Sequence, residues 1–335
     1  MKHISVISTG GTIASTQGEH GAVPTLSADK VLDMTAVDDA HKIQVRSLLS
    51  KDSSALTLAD VELIQDCVEQ ELKKEPAGIV LLHGTDTLES TALWLTLTSS
   101  ARAANCPVII TGAIKTADAA TPDGPRNIAG ALSLIAEHAR GEKNLAGVSV
   151  FFDGILWDPW GLTKVSTEKE AAFHAPRKFS SANAPYVPLS LPLRPLPSLT
   201  MDTAPLVPIV TVDVDDPGFS LEATVRELAA TRAGKTDAVI LCGLGSGNLP
   251  PRFTEKVLAL KKEFPHLLWF LTTKVPEGTV ATSYGHFGGG AHLSQEGVVL
   301  GGVLKVAQLR LLVLALISAG YPREKIEALL TTASL

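Results

Sequence analysis

Thr12 and Thr85 are the residues whose setting invites a chemical reading. Thr12 closes Thr9-Gly10-Gly11-Thr12, and Thr85 sits within His83-Gly84-Thr85-Asp86-Thr87. Each segment follows a short apolar, strand-like run (residues 4–7 and 79–82) and precedes residues able to start a helix. Loops at the carboxyl ends of parallel strands are where open α/β sheets bind ligands, so both threonines would face one crevice. Glycine lets the backbone approach a substrate closely and present its N–H groups. Two hydroxyls and a carboxylate in such a crevice point to acyl transfer. A hydroxyl is a weak nucleophile, so attack on an amide needs a nearby base and an oxyanion site.

Taken singly, each candidate also has a plain structural reading. Thr12 would cap a following helix. Asp86, with Glu89 three positions on, resembles a capping box. Asp52 and Ser53 would shape a turn. Lys164, in Leu162-Thr163-Lys164-Val165, would be a solvated surface lysine, because a general-base role requires burial or neighbouring cations that favour its neutral form.

The elements that must position these residues alternate between strand and helix. Strands are expected at 4–8, 78–82, 108–111 and 148–152, and helices at 58–72, 88–100 and 127–138. Over 58–72 the apolar residues Val61, Ile64, Val68 and Leu72 recur at helical spacing. Continuous apolar strands alternating with helices predict an α/β fold whose mainly parallel sheet is covered by helices on both faces. Pro188, Pro192, Pro195, Pro197 and Pro205 follow in close order over 186–205, which suits an extended linker. The alternation then resumes, with strands at 206–212, 238–241 and 267–271 and helices at 221–233, 254–263, 307–319 and 323–330. The expected organisation is a larger N-terminal catalytic α/β domain over 1–185, a proline-rich linker over 186–205, and a smaller C-terminal α/β domain over 206–335.

With 335 residues, 45% of them apolar and 19% charged, the chain is long enough for two domains with buried cores. A net charge of −6 without a dense Lys/Arg cluster argues against a nucleic-acid partner. Cys67, Cys106 and Cys242 lack metal-ligand spacing and read as reduced, buried thiols. The chain enters a strand directly after Met1-Lys2-His3. It contains no apolar run of signal-peptide or membrane-spanning length, so a cytoplasmic location and no membrane partner are expected.

Read together, Thr9-Gly10-Gly11-Thr12-Ile13-Ala14, Asp52-Ser53-Ser54, His83-Gly84-Thr85-Asp86-Thr87, Gly112-Ala113, Asp123-Gly124-Pro125-Arg126-Asn127 and Thr163-Lys164 form one ordered set. This set resembles the bacterial-type L-asparaginases (the asparaginase/glutaminase amidohydrolases), in their cytoplasmic form, over essentially the whole chain. The resemblance implies hydrolysis of the side-chain amide of L-asparagine to aspartate and ammonia through a threonine acyl-enzyme, with no cofactor and no metal. It implies Thr12 as nucleophile, Thr85 and Lys164 as the proton relay, and Asp86 as the partner of the substrate α-ammonium. Ser53 and the Gly84 backbone would hold the α-carboxylate, and the Ala113 carbonyl would meet the leaving nitrogen. Asn248 would line the site from a neighbouring subunit, since the family forms its sites between subunits of a homodimer or homotetramer.

Two departures stand out. Where relatives carry a tyrosine on the mobile segment after the first motif, this chain reads Gly21-Ala22-Val23-Pro24. Tyr284, in the stretch where relatives place a glutamate near the site, is the candidate for the missing phenol. Ser54 stands where secreted-type relatives carry glutamine beside the substrate amino group, which bears on the choice between asparagine and glutamine. Residues 17–23, with Gly18 and Gly21, are the candidate lid, and a disordered surface loop fits the same composition.

Other chemistries fit poorly. Ser246 lacks the flanking glycines of a nucleophile elbow, and Gly243-Leu244-Gly245-Ser246-Gly247-Asn248 is an incomplete dinucleotide fingerprint placed late in the chain. His286 and His292 have no carboxylate at ligand spacing. The remaining alternatives are a glutaminase-asparaginase of broader specificity, an ammonia-releasing amidotransferase subunit, and a non-enzymatic amino-acid sensor. The sensor would need Asp86 and Ser53 but not Thr12, Thr85 and Lys164 together.

Overall fold

The computed structural model describes residues 2–18, 21–24, 30, 42–178, 205–231 and 237–333. The chain divides into two compact units, residues 1–187 and 188–335. The proline-rich stretch expected to act as a linker lies outside the described residues except for Pro205.

The first unit is built on β1 (Ile4–Ser8), β2 (Ser15–Gly18), β3 (Gly21–Pro24), β4 (Ile43–Ser47), α1 (Leu58–Leu72), β5 (Gly78–Leu82), α2 (Leu88–Thr98), β6 (Pro107–Thr111), α3 (Gly124–Ala139), β7 (Gly147–Phe152) and β8 (Ile155–Trp157). Its main sheet has the order β4-β1-β5-β6-β7-β8 and is parallel except for β8, which returns antiparallel to β7. The sheet is covered on both faces, as the unbroken apolar strands require. Ile7, Ile79, Leu81, Val108 and Val150 pack with Ile64 and Val68 of α1 and Leu88, Ala92 and Leu95 of α2. Ile4, Val6, Val80, Leu82 and Ile109 pack with Ile128, Leu132 and Ile135 of α3.

Helix boundaries follow local chemistry. A capping box starts α1: the Asp60 N–H donates to Thr57 Oγ1 at 3.2 Å, and the Thr57 N–H donates to Asp60 Oδ2 at 2.8 Å. α3 begins at Gly124, three residues before the expected start, because Pro125 occupies its first turn, where a missing N–H costs nothing. α2 stops at Thr98 rather than residue 100.

A larger correction concerns the segment after the first glycine pair. Thr12 does not cap a helix. It opens a single 3-10 turn, Thr12–Ala14, and the chain then forms the antiparallel hairpin β2–β3. The tip of the candidate lid, residues 19–20, lies outside the described residues, but the rest is this hairpin rather than a structureless loop. Tertiary pairing overrides the helical reading: the Ala117 N–H donates to the Ser15 carbonyl at 2.9 Å, and the Gln17 N–H donates to Asp118 Oδ2 at 2.8 Å.

In the second unit, β11 (Ile209–Thr211), β12 (Ala238–Gly243), β13 (Leu268–Thr273) and β14 (Val299–Leu300) form a parallel sheet in sequential order. α4 (Phe219–Thr231), α5 (Pro251–Glu263), α6 (Gly290–Gln295), α7 (Val306–Ser318) and α8 (Arg323–Ala333) complete it. β11 is shorter than the expected 206–212, and α6 and β14 had no strong periodic signal. In the first unit β9 (Thr163–Lys164) and β10 (Phe173–His174) make a small antiparallel pair.

Close packing of α3 on the sheet provides a direct test. A Cβ on Gly130 would sit 2.2 Å from Phe151 Cε1. Gly130→Ala is therefore expected to destabilise the fold by about 1–3 kcal/mol through overpacking, seen as a lower urea midpoint at unchanged slope.

Candidate active site

The sheet order fixes where a ligand site forms. β1 and β5 are hydrogen-bonded neighbours, yet the chain leaves β1 towards β4 on one side and leaves β5 towards β6 on the other. This reversal opens a crevice at the carboxyl ends of the two strands. Ser8 and Leu82 are in register there, so the two glycine–threonine loops emerge side by side.

They touch backbone to backbone. A Cβ on Gly11 would lie 2.4 Å from the Gly84 Cα, and Gly11 has φ +81°. Gly10, at φ +100°, is pressed against the Lys51 backbone in the same way. Hydrogen bonds hold this stack: Thr9 N–H to the Leu82 carbonyl at 3.0 Å, Lys51 N–H to the Thr9 carbonyl and Gly11 N–H to the Lys51 carbonyl, both at 3.1 Å. Lys51 itself is anchored by its ion pair with Asp60 at 2.8 Å.

Thr12 thus sits one residue from the Gly11–Gly84 contact, half-buried, and no hydrogen bond to the described residues engages its hydroxyl. Thr85 is buried at the crevice. Lys164, on β9, donates from Nζ to Thr85 Oγ1 at 2.8 Å and to Asp86 Oδ1 at 2.8 Å. The lysine side chain is 19% exposed and the Asp86 side chain 58% exposed, so the carboxylate faces solvent with the ammonium behind it. Ser53, buried in the turn Ser53–Ala55, accepts the Asp86 N–H on Oγ at 3.0 Å, and its carbonyl accepts the Thr87 hydroxyl at 2.9 Å. A Cβ on Gly84 would be 2.7 Å from Ser53 Oγ. Ser54 follows in that turn with its side chain exposed.

Gly112-Ala113 closes the far side. A Cβ on Gly112 would lie 3.4 Å from Thr85 Cγ2. The Asp123–Asn127 motif holds this loop: Asp123, buried, accepts the N–H groups of Ile114 and Lys115 at 2.9 Å, and Asn127 Nδ2 donates to the Gly112 carbonyl at 2.9 Å. So the structure gathers Ser53, Gly84, Thr85, Asp86, Lys164 and the Thr12 and Ala113 loops around one crevice.

Asn248 and Tyr284 belong to the second unit. Asn248 ends the turn after β12, with its N–H donating to the Leu244 carbonyl at 2.8 Å. Its Oδ1 is buried without a hydrogen-bond partner among the described residues. Tyr284 is 49% exposed in the loop before α6, its ring 5.9 Å from His286. The Leu249 N–H donates to the Gly288 carbonyl at 2.9 Å, so the Asn248 turn and the Tyr284 loop pack together.

The capping-box reading of Asp86 and Glu89 does not hold. α2 has Thr87 at its N-cap with no side-chain cap bond. Glu89 instead turns inward, where Oε2 accepts the Lys164 backbone N–H at 2.5 Å. Burial pushes its carboxyl up to about 7, against the downward pull of the Lys164 N–H and cation. His83 also had no assigned role in the sequence. It is wholly buried, and burial pulls its imidazole down to about 4, so the ring is neutral. Nδ1 lies 2.7 Å from the Gly84 carbonyl, which only accepts, so Nδ1 carries the proton and Nε2 accepts the Thr91 hydroxyl at 2.9 Å. An acid at the second position of an apolar helix was the sequence signal for Glu89.

The Glu89 shift has a consequence for stability. The folded state keeps a proton that the unfolded chain releases near 4.5. The stability this contributes is complete below about pH 4.5 and is lost as pH rises through about 7, a change of at most about 3 kcal/mol. Urea melts are expected to show the native chain losing stability relative to Glu89→Gln across that window. Parallel pH curves would rule out titration of Glu89 there.

Comparison with known proteins agrees with this architecture. The family model "Asparaginase, N-terminal" matches residues 3–186, and "Glutaminase/Asparaginase C-terminal domain" matches residues 220–330. The chain is 29% identical to a probable L-asparaginase of Deinococcus radiodurans, aligned over 99% of this chain and 98% of that one. It is 31% identical to an L-asparaginase of Thermococcus kodakarensis, over 74% of this chain and 72% of that one. The fold is shared with the crystal structure of a probable cytoplasmic L-asparaginase from Campylobacter jejuni, at a TM-score of 0.78 and 21% identity, covering 98% of this chain and 99% of that one. With both halves matched in order and the glycine–threonine crevice formed between β1 and β5, the chain belongs to the asparaginase family of amidohydrolases.

Proposed function

We propose that this chain is an L-asparaginase, converting L-asparagine to L-aspartate and ammonia through a covalent threonine ester. The observation that carries the reading is Lys164 Nζ within 2.8 Å of both Thr85 Oγ1 and Asp86 Oδ1, beside the loop that bears Thr12. Lys164 Nζ first gives up a proton to solvent. Thr12 Oγ then attacks the side-chain amide carbon, and its proton passes through Thr85 to the uncharged Lys164 amine. N–H groups of the two loops hold the developing oxyanion, at about 3 kcal/mol per donor. The C–N bond breaks, the nitrogen takes that proton back from Lys164 through Thr85 and leaves as ammonia past the Ala113 carbonyl, and the aspartyl group remains on Thr12. Water then attacks the ester carbon, the bond to Thr12 Oγ breaks, and aspartate departs as the hydroxyl recovers its proton.

The ends of the substrate match the crevice. The solvent-facing Asp86 carboxylate takes the α-ammonium, and the Ser53 hydroxyl with the Gly84 backbone takes the α-carboxylate. Ser54, shorter than glutamine, changes how the ammonium end is held. Tyr284 supplies a phenol and Asn248 a side-chain amide from a neighbouring copy in a homodimer or homotetramer, and the β2–β3 hairpin closes over the crevice to exclude water. The protein works in the cytoplasm; no described helix is long and apolar enough to cross a membrane.

Ammonia release measured side by side with L-asparagine, L-glutamine and D-asparagine is expected to be fastest with L-asparagine. Thr12→Ala is expected to lower kcat by at least about 10⁴-fold, and undiminished turnover would end the proposal. Tyr284→Phe is expected to lower kcat by about 10²-fold, the scale of one proton-transfer contribution. Wild-type turnover in that variant would remove Tyr284 from the reaction without touching Thr12.

A further inference from the structure

The crevice depends on a carboxyl that never reaches it. Glu89 lies on α2, four residues beyond Thr85, and is 8% exposed. Its side chain points away from solvent and binds the backbone N–H of Lys164 at 2.5 Å. The segments bearing Thr85 and Lys164 are therefore tied twice, once through Lys164 Nζ and Thr85 Oγ1 and once through Lys164 N and Glu89 Oε2.

The second tie matters because of what Lys164 stands on. β9 has only two residues, paired to the two residues of β10 with Phe173 opposite Lys164. Beyond it, the Val165 N–H donates to the Ala172 carbonyl at 2.7 Å. A ladder this short is a weak support for a long, flexible side chain that must present one nitrogen to one hydroxyl. Lys164 N is held by a side chain from the helix that starts two residues after Asp86. Thr85, Asp86 and Glu89 thus form one rigid segment against which Lys164 is set.

We propose that Glu89 is a positioning residue for the proton relay, its buried carboxyl fixing the Lys164 backbone so that Nζ reaches Thr85. The inference rests on the relay role proposed for Lys164. It differs from a general packing role in a specific way: Glu89 acts through Lys164, so removing Lys164 removes the effect of Glu89.

The experiment is a double-mutant cycle on the full chain with ammonia release from L-asparagine as readout. Glu89→Ala is expected to lower kcat by about 10²-fold, the cost of roughly an ångström of misplacement, with KM changed by less than about threefold. Glu89→Gln, whose amide oxygen can still accept the Lys164 N–H, is expected to recover at least about a third of the native kcat. In a Lys164→Met background, Glu89→Ala is expected to change the residual rate by less than about twofold, as non-additive partners do. If Glu89→Ala does not fold, Glu89→Met fills the same volume without the acceptor and carries the same expectations. An equal fractional loss in both backgrounds would overturn the inference. So would a crystal structure of the Ala or Met variant with Lys164 Nζ still within hydrogen-bond distance of Thr85. The two readings separate cleanly, because native turnover in Lys164→Met would remove the relay itself, whereas an unmoved lysine in the Glu89 variants removes only the role of Glu89.

Discussion

Two parallel strands that lie side by side while their chains depart in opposite directions leave a gap at their carboxyl ends, and in this protein that gap forms the crevice. β1 and β5 make it, and Gly11 and Gly84 set its floor. With the Cβ position of Gly11 only 2.4 Å from the Gly84 Cα, any side chain at residue 11 would push the loops apart. The Thr12 and Thr85 hydroxyls would separate with them. φ values of +100° at Gly10 and +81° at Gly11 exclude most other residues on conformational grounds as well. The two requirements coincide: the turn that swings Thr12 back over the strand ends is the same turn that lets the second loop come close.

Around this floor, carboxylates do most of the fastening, and their settings differ. Asp123 is buried and accepts two backbone N–H groups, a charge-assisted arrangement that fixes the Gly112-Ala113 loop at short range. Asp60 serves twice, as the capping-box partner of Thr57 and as the anchor of Lys51, whose backbone cradles Gly10. Burial alone would raise the Asp60 carboxyl, but Lys51 and Thr57 outweigh it and hold it below its ordinary value. Glu170 joins Lys115 and Arg126 at the rim, where both cations are more than a third exposed. Such pairs contribute little energy individually and act mainly to keep the β9–β10 pair near the post-β6 loop. Glu89 is the exception, because burial outweighs the pull of the Lys164 N–H and cation and holds its carboxyl above its ordinary value.

How much of this was legible in the sequence depends on whether a local rule decided the outcome. Strands β1, β5, β6 and β7 announced themselves as unbroken apolar runs, and α1 matched its expected span because Thr57 and Asp60 supply a local start signal. The threonine loops stood out because each sets glycine beside a hydroxyl at the end of an apolar strand, where open α/β sheets bind ligands. The rest was set at a distance. The hairpin after Thr12 is held by Ala117 and Asp118, about a hundred residues on. Glu89 looked like a helix cap from its spacing to Asp86, and only the arrival of Lys164 from 75 positions away gives its carboxyl a different partner. β9 and β10, at two residues each, are too short to carry a periodic signal.

The charges at the crevice constrain the proposed reaction further. Asp86 already binds the Lys164 ammonium when no substrate is present, and it faces solvent with more than half of its side chain exposed. In the proposed reaction, an amino-acid substrate brings a second ammonium to the same carboxylate. One negative charge does not neutralise two positive ones, so the arriving cation weakens the Coulombic hold of Asp86 on Lys164 at the moment the amide comes within reach of Thr12. The buried Glu89 carboxyl then becomes the fixed point that keeps Lys164 in place while its bond to Asp86 loosens. Binding at the α-amino end and proton transfer at the amide end are therefore joined through one lysine. An amide without an α-ammonium would leave the Lys164–Asp86 pair intact, so Nζ would stay divided between the carboxylate and the Thr85 hydroxyl, as it is with no substrate present.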